Sequence, residues 1–294
     1  MPKKKKEDLA VLTVETDANS ADALAATLEE RWNRTAVQIQ RPNSNQVWIE
    51  IYFERDLEAV LAAHAVRNWP RVIAAQPRVC RNRDWQSFWK HHFKSRPIGK
   101  HLCIRPIWEK ETPTPHGRKT IWLDPGLSFG TGEHFTTRFC LEQLDRICDA
   151  NAVKTMLDVG TGSGILAIAA ARLGVQRITA FDHDAQALEQ AQSNIRLNRV
   201  THKITTSVLD LERNAFPKGR FDVVCANVYS RLLIEAAPAL AQATRHWLLL
   251  SGIREFELDS VAETFMALGG QETVRDGDGE WGGLVIKWKR SSST

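Results

Sequence analysis

The sequence predicts an α/β chain in two parts, a small α+β unit followed by a larger unit on a mostly parallel sheet. Two observations carry this. Strand-like and helical patterns run in the order β-α-β-β-α-β over the first 80 residues. From Asn151 onward short apolar runs alternate with helical patterns, the mark of a parallel α/β sheet. A length of 294 residues accommodates both units, and 43% hydrophobic with 25% charged residues is a globular composition.

In the front unit, the apolar stretch Leu9 to Val14 leads to a helical pattern over Ala21 to Trp32. Two extended runs follow, Thr35 to Ile39 and Val47 to Phe53, joined by turn chemistry at Arg41-Pro-Asn-Ser-Asn45. In the second run Val47, Ile49, Ile51 and Phe53 alternate with Trp48, Glu50 and Tyr52, so one face can be buried. Asp56 then caps a helix with Leu57, Val60, Leu61 and His64 on one side, and Val72 to Val79 completes a ferredoxin-like set over residues 1–80. Such a sheet can hold RNA, with Trp48 and Tyr52 stacking on bases, although packing is the commoner use of such residues.

Residues 81–98 read as a linker helix, because Trp85, Phe88, Trp89 and Phe93 fall on one stripe among basic neighbours. A helix wedged between two domains accounts for that stripe better than nucleic-acid binding does. Residues 99–294 form the second domain, opening with extended runs at His101 to Ile107 and Thr120 to Leu123 around a proline-rich turn.

The sharpest signal is Met156-Leu-Asp-Val-Gly-Thr-Gly-Ser-Gly-Ile165. Apolar residues run into Asp158, glycines stand at 160, 162 and 164, and the apolar run Ile165 to Ala171 stops at Gly174: strand, tight turn, buried helix. A dinucleotide fold wants G-x-G-x-x-G, but position 165 is Ile; G-x-G-x-G is the spacing methyltransferases use. The next strand, Arg177 to Phe181, ends in Asp182, whose carboxylate can accept both ribose hydroxyls of an adenosine ligand. Asp184 is left to cap the following helix. Upstream, Leu123-Asp-Pro-Gly-Leu-Ser-Phe-Gly-Thr-Gly-Glu-His-Phe-Thr-Thr137 is a second glycine loop, which sets Thr136 and Thr137 at a helix N-terminus where a cofactor carboxylate can be received. Phe221 to Cys225 is a further strand ending in Ala226-Asn227, an amide on the same carboxyl edge as the glycine turn.

Other classes are disfavoured. Neither a P-loop lysine, a G-x-S-x-G elbow nor an H-E-x-x-H helix is present. Five scattered cysteines show no zinc spacing, so no metal is expected and reduced cytoplasmic thiols fit best. No apolar run reaches the roughly 20 residues of a membrane span. The lysines at 3–6 lack an apolar stretch behind them, so no secretory signal is expected, and a net charge of +4 does not call for a nucleic-acid partner.

With these motifs in view, the chain resembles the methyltransferase family of ribosomal large-subunit protein eleven. The resemblance covers the front unit, Asp84-Trp-Gln-Ser-Phe-Trp89, the loop Leu123 to Gly132, Asp158 to Ile168, Phe181-Asp-His-Asp184, Asn227-Val-Tyr229 and Glu280-Trp281. It implies a C-terminal seven-stranded Rossmann-like methyltransferase sheet with S-adenosyl-L-methionine as cofactor, bound through Thr137, Gly160, Asp182 and Asn227, with Gly162 in the same turn. The front domain would recognise the ribosomal protein, and lysine side chains and the N-terminal amine would accept the methyl groups. Asn227 is the expected catalytic residue, orienting the amine; His134 is left unassigned. The expected protein is cytoplasmic and monomeric, without stable nucleic-acid binding or membrane association. The alternatives are a methyltransferase of another protein or of RNA, and a non-catalytic ribosome- or RNA-binding module that retains the fold.

Overall fold

In the computed structural model the described residues are 9–32, 34, 36–40, 45–53, 56–80, 94–110, 117–124, 134–211 and 216–288. The aromatic stripe at 85–93, the lysines at 3–6 and most of the loop after Asp124 lie outside them. The chain divides into two compact units, residues 1–94 with 127–129, and residues 95–126 with 130–294.

The first unit runs β1 (Leu9–Asp17), α1 (Ala21–Trp32), β2 (Ala36–Gln40), β3 (Gln46–Phe53), α2 (Asp56–Val66) and β4 (Ala74–Cys80). Its sheet has the order β2-β3-β1-β4, and every neighbouring pair is antiparallel. The alternation read in β3 places Val47, Ile49, Ile51 and Phe53 in one apolar core with Leu12 and Val14 of β1 and Leu24 and Leu28 of α1, while Glu50 and Tyr52 on its other face are buried as well. Helix α2 departs from the expected face. Its buried stripe is Ala59, Ala62, Ala63 and Val66, while Leu57 and Leu61 are 66% and 60% exposed. Small residues let the helix approach the sheet closely, and the larger leucines are left outside. Tyr52 is not free to stack on a base: it is buried, and its hydroxyl donates to Glu50 at 2.6 Å. Glu50 in turn is paired with Arg78.

The second unit begins with β5 (Arg96–Ile98), β6 (Leu102–Pro106) and β7 (Lys119–Leu123), a separate sheet of order β5-β6-β7. Strand β5 corrects the end of the expected linker helix. Arg96 precedes a proline, which disfavours helical geometry, and Arg96–Ile98 instead pairs with β6.

Next come α3 (Phe135–Ala150), β8 (Thr155–Val159), α4 (Ile165–Leu173), β9 (Arg177–Asp182), α5 (Ala185–Leu197) and β10 (Ile204–Val208). The chain continues through β11 (Phe221–Asn227), α6 (Ser230–Glu235), α7 (Ala237–Ala243), β12 (Thr244–Arg254), α8 (Leu258–Ala267), β13 (Gln271–Gly277) and β14 (Trp281–Lys287). The large sheet is mixed and seven-stranded, of order β10-β9-β8-β11-β12-β14-β13. Strands β10 to β12 in that order are parallel, and β14 and β13 are antiparallel additions at the far edge. Leu157, Val224, Leu248, Leu250 and Leu284 bury their side chains in one core with Leu240, Val261 and Phe265.

Because the chain winds outward from β8 through β9 to β10 and then returns to β11, the switch point lies between β8 and β11. Ligands of open α/β sheets bind at the carboxyl ends of the strands there. At the opposite, amino ends, Asp222 accepts from the amides of Lys154 and Thr155 at 2.9 and 3.0 Å and pairs with Arg245 at 2.7 Å. Burial raises the Asp222 pKa, but these hydrogen bonds outweigh that and hold the carboxyl below its ordinary range.

Candidate active site

The glycine turn follows β8 directly. Gly160, Gly162 and Gly164 all have positive φ, at 66°, 52° and 80°. Two of them are also held to a minimal side chain by close neighbours. A Cβ on Gly160 would stand 2.7 Å from Val228 Cγ1, and one on Gly164 would stand 3.2 Å from Ala191 Cα and Cβ. The turn thus needs both left-handed backbone and bare Cα atoms. Gly164 leads into α4, which ends at Gly174 as expected.

Asp182, the last residue of β9, reaches back to this turn. Its Oδ2 accepts from the Gly162 amide at 2.9 Å, and its Oδ1 accepts from the Asp184 amide at 3.0 Å. His183 Nδ1 lies 3.3 Å from Oδ1. Burial alone would raise this carboxyl's pKa; the bonds from His183, Asp184 and Gly162 reverse the sign and keep it lowered, hence ionised at neutral pH. Each oxygen still has acceptor capacity beyond these bonds. Asp184 caps α5 through Gln186 N–H at 2.8 Å, the capping role expected from sequence.

Asp158 sits beneath the turn. It is fully buried, accepting from Thr161 Oγ1 at 2.6 Å and Ala167 N at 3.2 Å through Oδ2. Its Oδ1 has no hydrogen-bond partner among the described residues. Burial dominates here and pushes the carboxyl up to about 6, against the two hydrogen bonds.

Across the switch point, Asn227 closes β11 beside Ser251 of β12. Its Nδ2 donates to Thr137 Oγ1 at 3.4 Å, which joins the end of β11 to the first turn of α3. Thr136 and Thr137 are buried in that turn. His134, unassigned from sequence, is the N-cap: its ring accepts from Thr136 N–H at 3.4 Å and meets Thr136 Oγ1 at 2.8 Å. It also stands edge-on to Trp281, with ring centroids 5.3 Å apart, and Arg254 lies over that indole at 4.1 Å. Burial lowers the His134 pKa; Asp278 opposes the shift, and Arg254 and Arg138 reinforce it.

The structure therefore joins Gly162 and Asp182 by a hydrogen bond, with Gly160 in the same turn, and joins Thr137 and Asn227 by another, both on the carboxyl edge. Sequence reasoning missed Asn194 of α5. It is fully buried and donates to the Ser163 carbonyl at 2.9 Å inside the glycine turn. A polar residue on the inner face of a helix, four residues from Gln190 and from Asn198, was the available signal.

Comparison with known proteins establishes the family. The family model described as ribosomal protein L11 methyltransferase (PrmA) matches residues 1–289. The ribosomal protein L11 methyltransferase of Pelobacter propionicus is 38% identical over 256 residues, covering 81% of each chain. That of Geobacter sulfurreducens is 43% identical over 218 residues, 74% of this chain and 70% of its own. Among solved structures, the ribosomal protein L11 methylase of Lactobacillus delbrueckii subsp. bulgaricus aligns with a TM-score of 0.59 at 30% identity, over 67% of this chain and 99% of its own. The sheet is thus of the α/β methyltransferase kind, the chain is an enzyme of that class, and it belongs to the ribosomal protein L11 methyltransferase family.

Proposed function

We propose that this chain transfers methyl groups from S-adenosyl-L-methionine to lysine and N-terminal amines of ribosomal protein L11. The observation that carries the reading is the ionised Asp182 clamped to the Gly162 amide beside a turn of bare Cα atoms.

The residues present fit the cofactor. Asp182 is an acceptor-only group with remaining lone pairs, the chemistry a ribose diol requires, and the glycine turn lets a nucleoside approach backbone closely. Thr137, at the start of α3, suits the amino-acid end, where free helical amides favour a carboxylate. When bound, the cofactor supplies an electrophilic sulfonium methyl.

The chain's own task is to present a neutral amine in line. A lysine of pKa about 10.4 is roughly 3.4 units from neutrality at pH 7, a cost of about 4–5 kcal/mol. Partial burial and a neighbouring positive charge both lower that pKa. Positioning can contribute about 7–11 kcal/mol. Asn227 is the orienting group: its Nδ2 is engaged by Thr137, so the amide oxygen is the atom that accepts from the amine. His134 is occupied in capping α3 and is not assigned as base.

In the same reading residues 1–80 are a ferredoxin-like substrate-recognition domain, supported by their strand order and antiparallel pairing, and 99–294 are the catalytic domain. The enzyme is cytoplasmic and acts as a monomer without stable nucleic-acid binding. No helix among the described residues is long and apolar enough to cross a membrane.

Incubation of the protein with methyl-labelled cofactor and total ribosomal proteins, with and without nuclease, tests the assignment. Label in the L11 band that survives nuclease supports it. Label in another protein, label lost with RNA, or no label each overturns it.

A further inference from the structure

Among the described residues, strand β7 is the outer strand of its sheet and pairs only with β6. Its other edge carries backbone donors and acceptors that must find partners. Helix α5 and its C-cap residue Asn198 supply them from side chains. Asn198 accepts from the Trp122 amide at 2.9 Å through Oδ1 and donates to the Trp122 carbonyl at 2.6 Å through Nδ2. One turn earlier, Asn194 Oδ1 accepts from the Asp124 amide at 3.2 Å. One turn earlier again, Gln190 Nε2 donates to the Asp124 carbonyl at 2.8 Å.

The two periodicities match. Four residues of helix advance about 6.0 Å, and two residues of strand advance about 6.6 Å. The carboxamides of Asn194 and Asn198 therefore meet Asp124 and Trp122, two residues apart, while Gln190 takes the remaining carbonyl of Asp124. One face of α5 serves β7 as a neighbouring strand would.

Asn194 differs from the other two. While its oxygen holds Asp124, its Nδ2 holds the Ser163 carbonyl at 2.9 Å, between Gly162 and Gly164. Asn198, equally buried, has no bond to the glycine turn among the hydrogen bonds of the described residues.

We infer that Asn194 is a positioning residue for the cofactor: it fixes the 160–164 turn in the shape that presents Gly162 N–H to Asp182, whereas the Asn198 and Gln190 side chains bond to the β7 edge without reaching that turn. The inference rests on the methyltransferase reading of this site. It acts through the turn and requires no contact between Asn194 and the ligand.

The test is titration of the full chain with S-adenosylmethionine and its demethylated product, with unfolding followed on the same samples. Wild-type protein is titrated first; if it does not bind, the methyltransferase reading itself falls. Given binding, Asn194→Ser and Asn198→Ser remove a carboxamide at equally buried positions and should both lower the melting temperature. Only Asn194→Ser should weaken cofactor binding, by about tenfold. Its KM for cofactor should rise with kcat nearly unchanged at saturation. Asn194→Asp keeps the acceptor for Asp124 and loses the donor to Ser163; it should show the same loss and decides the matter if the serine variant does not fold. Wild-type affinity in a folded Asn194 variant, or an equal loss in Asn198→Ser, would overturn the inference.

Discussion

Replacing Gly160 with alanine tests why the turn has its composition. The residue has φ of +66°, and its added Cβ would lie 2.7 Å from Val228 Cγ1. Carbon–carbon contacts prefer about 3.5–4.0 Å, so the methyl arrives roughly 1 Å too close. Left-handed backbone costs about 1–2 kcal/mol for a residue with a Cβ. Overpacking costs about 1–3 kcal/mol more. Together, Gly160→Ala should destabilise by about 2–5 kcal/mol. Val228→Ala removes the opposing methyl and relieves only the second part. In a double-mutant cycle followed by urea unfolding, the double variant should be more stable than the sum of the singles by about 1–3 kcal/mol. Additivity within about 0.5 kcal/mol would refute the crowding argument and leave backbone conformation as the sole reason for glycine.

Three further outcomes follow from the site. Asp182→Ala should weaken cofactor binding about 10–100-fold, and an unchanged dissociation constant by calorimetry removes Asp182 from the ribose. Asp158, pushed up from 3.8 to about 6, keeps its proton in the folded chain over a range where the unfolded chain has lost it. Native stability therefore falls as pH rises through that window, by about 3 kcal/mol in all, and Asp158→Asn should flatten this slope in unfolding measurements on the cofactor-free protein; an unaltered slope contradicts the assignment. His134 has the opposite sign. Its folded pKa lies below 6.5 because burial disfavours the charged ring, so the stability that depends on a neutral ring is complete above that pH and is lost as pH falls toward the folded value. Asn at this position keeps a cap without a titrating ring, so His134→Asn should reduce the acid-side loss of stability, and an identical melting profile from pH 7 down to about 5 would count against it.

The parts of the site legible in the sequence are those whose chemistry demands a residue type at a fixed chain position. Glycines after an apolar strand, an aspartate ending the next strand and an asparagine ending a later one each announce themselves locally. The Asp184 cap was legible because that residue precedes a helix, whereas Asp182 ends a strand. What escaped depends on distant partners. Asn194 and Asn198 bond to residues 70 and 76 positions away, which periodicity cannot reveal. Helix α2 misled because its inner face is mostly alanine, whose weak hydrophobicity loses to the exposed leucines in any pattern count. Strand β5 was hidden by its position directly after an aromatic stripe that reads as helix.

Asp222 lies at the other pole of the sheet from all of this, five residues, or about 16 Å of strand, before Asn227. Yet it decides where Asn227 ends up. A single carboxylate grips the amino-terminal starts of β8, β11 and β12, so these strands share a common origin from which their lengths are counted. Slipping any one of them by a residue would turn its side chains to the wrong face and tear several bonds at once. Alignment of the carboxyl edge is thus tied to an anchor at the far ends of the same strands, and damage there would show as a blurred edge rather than a missing one.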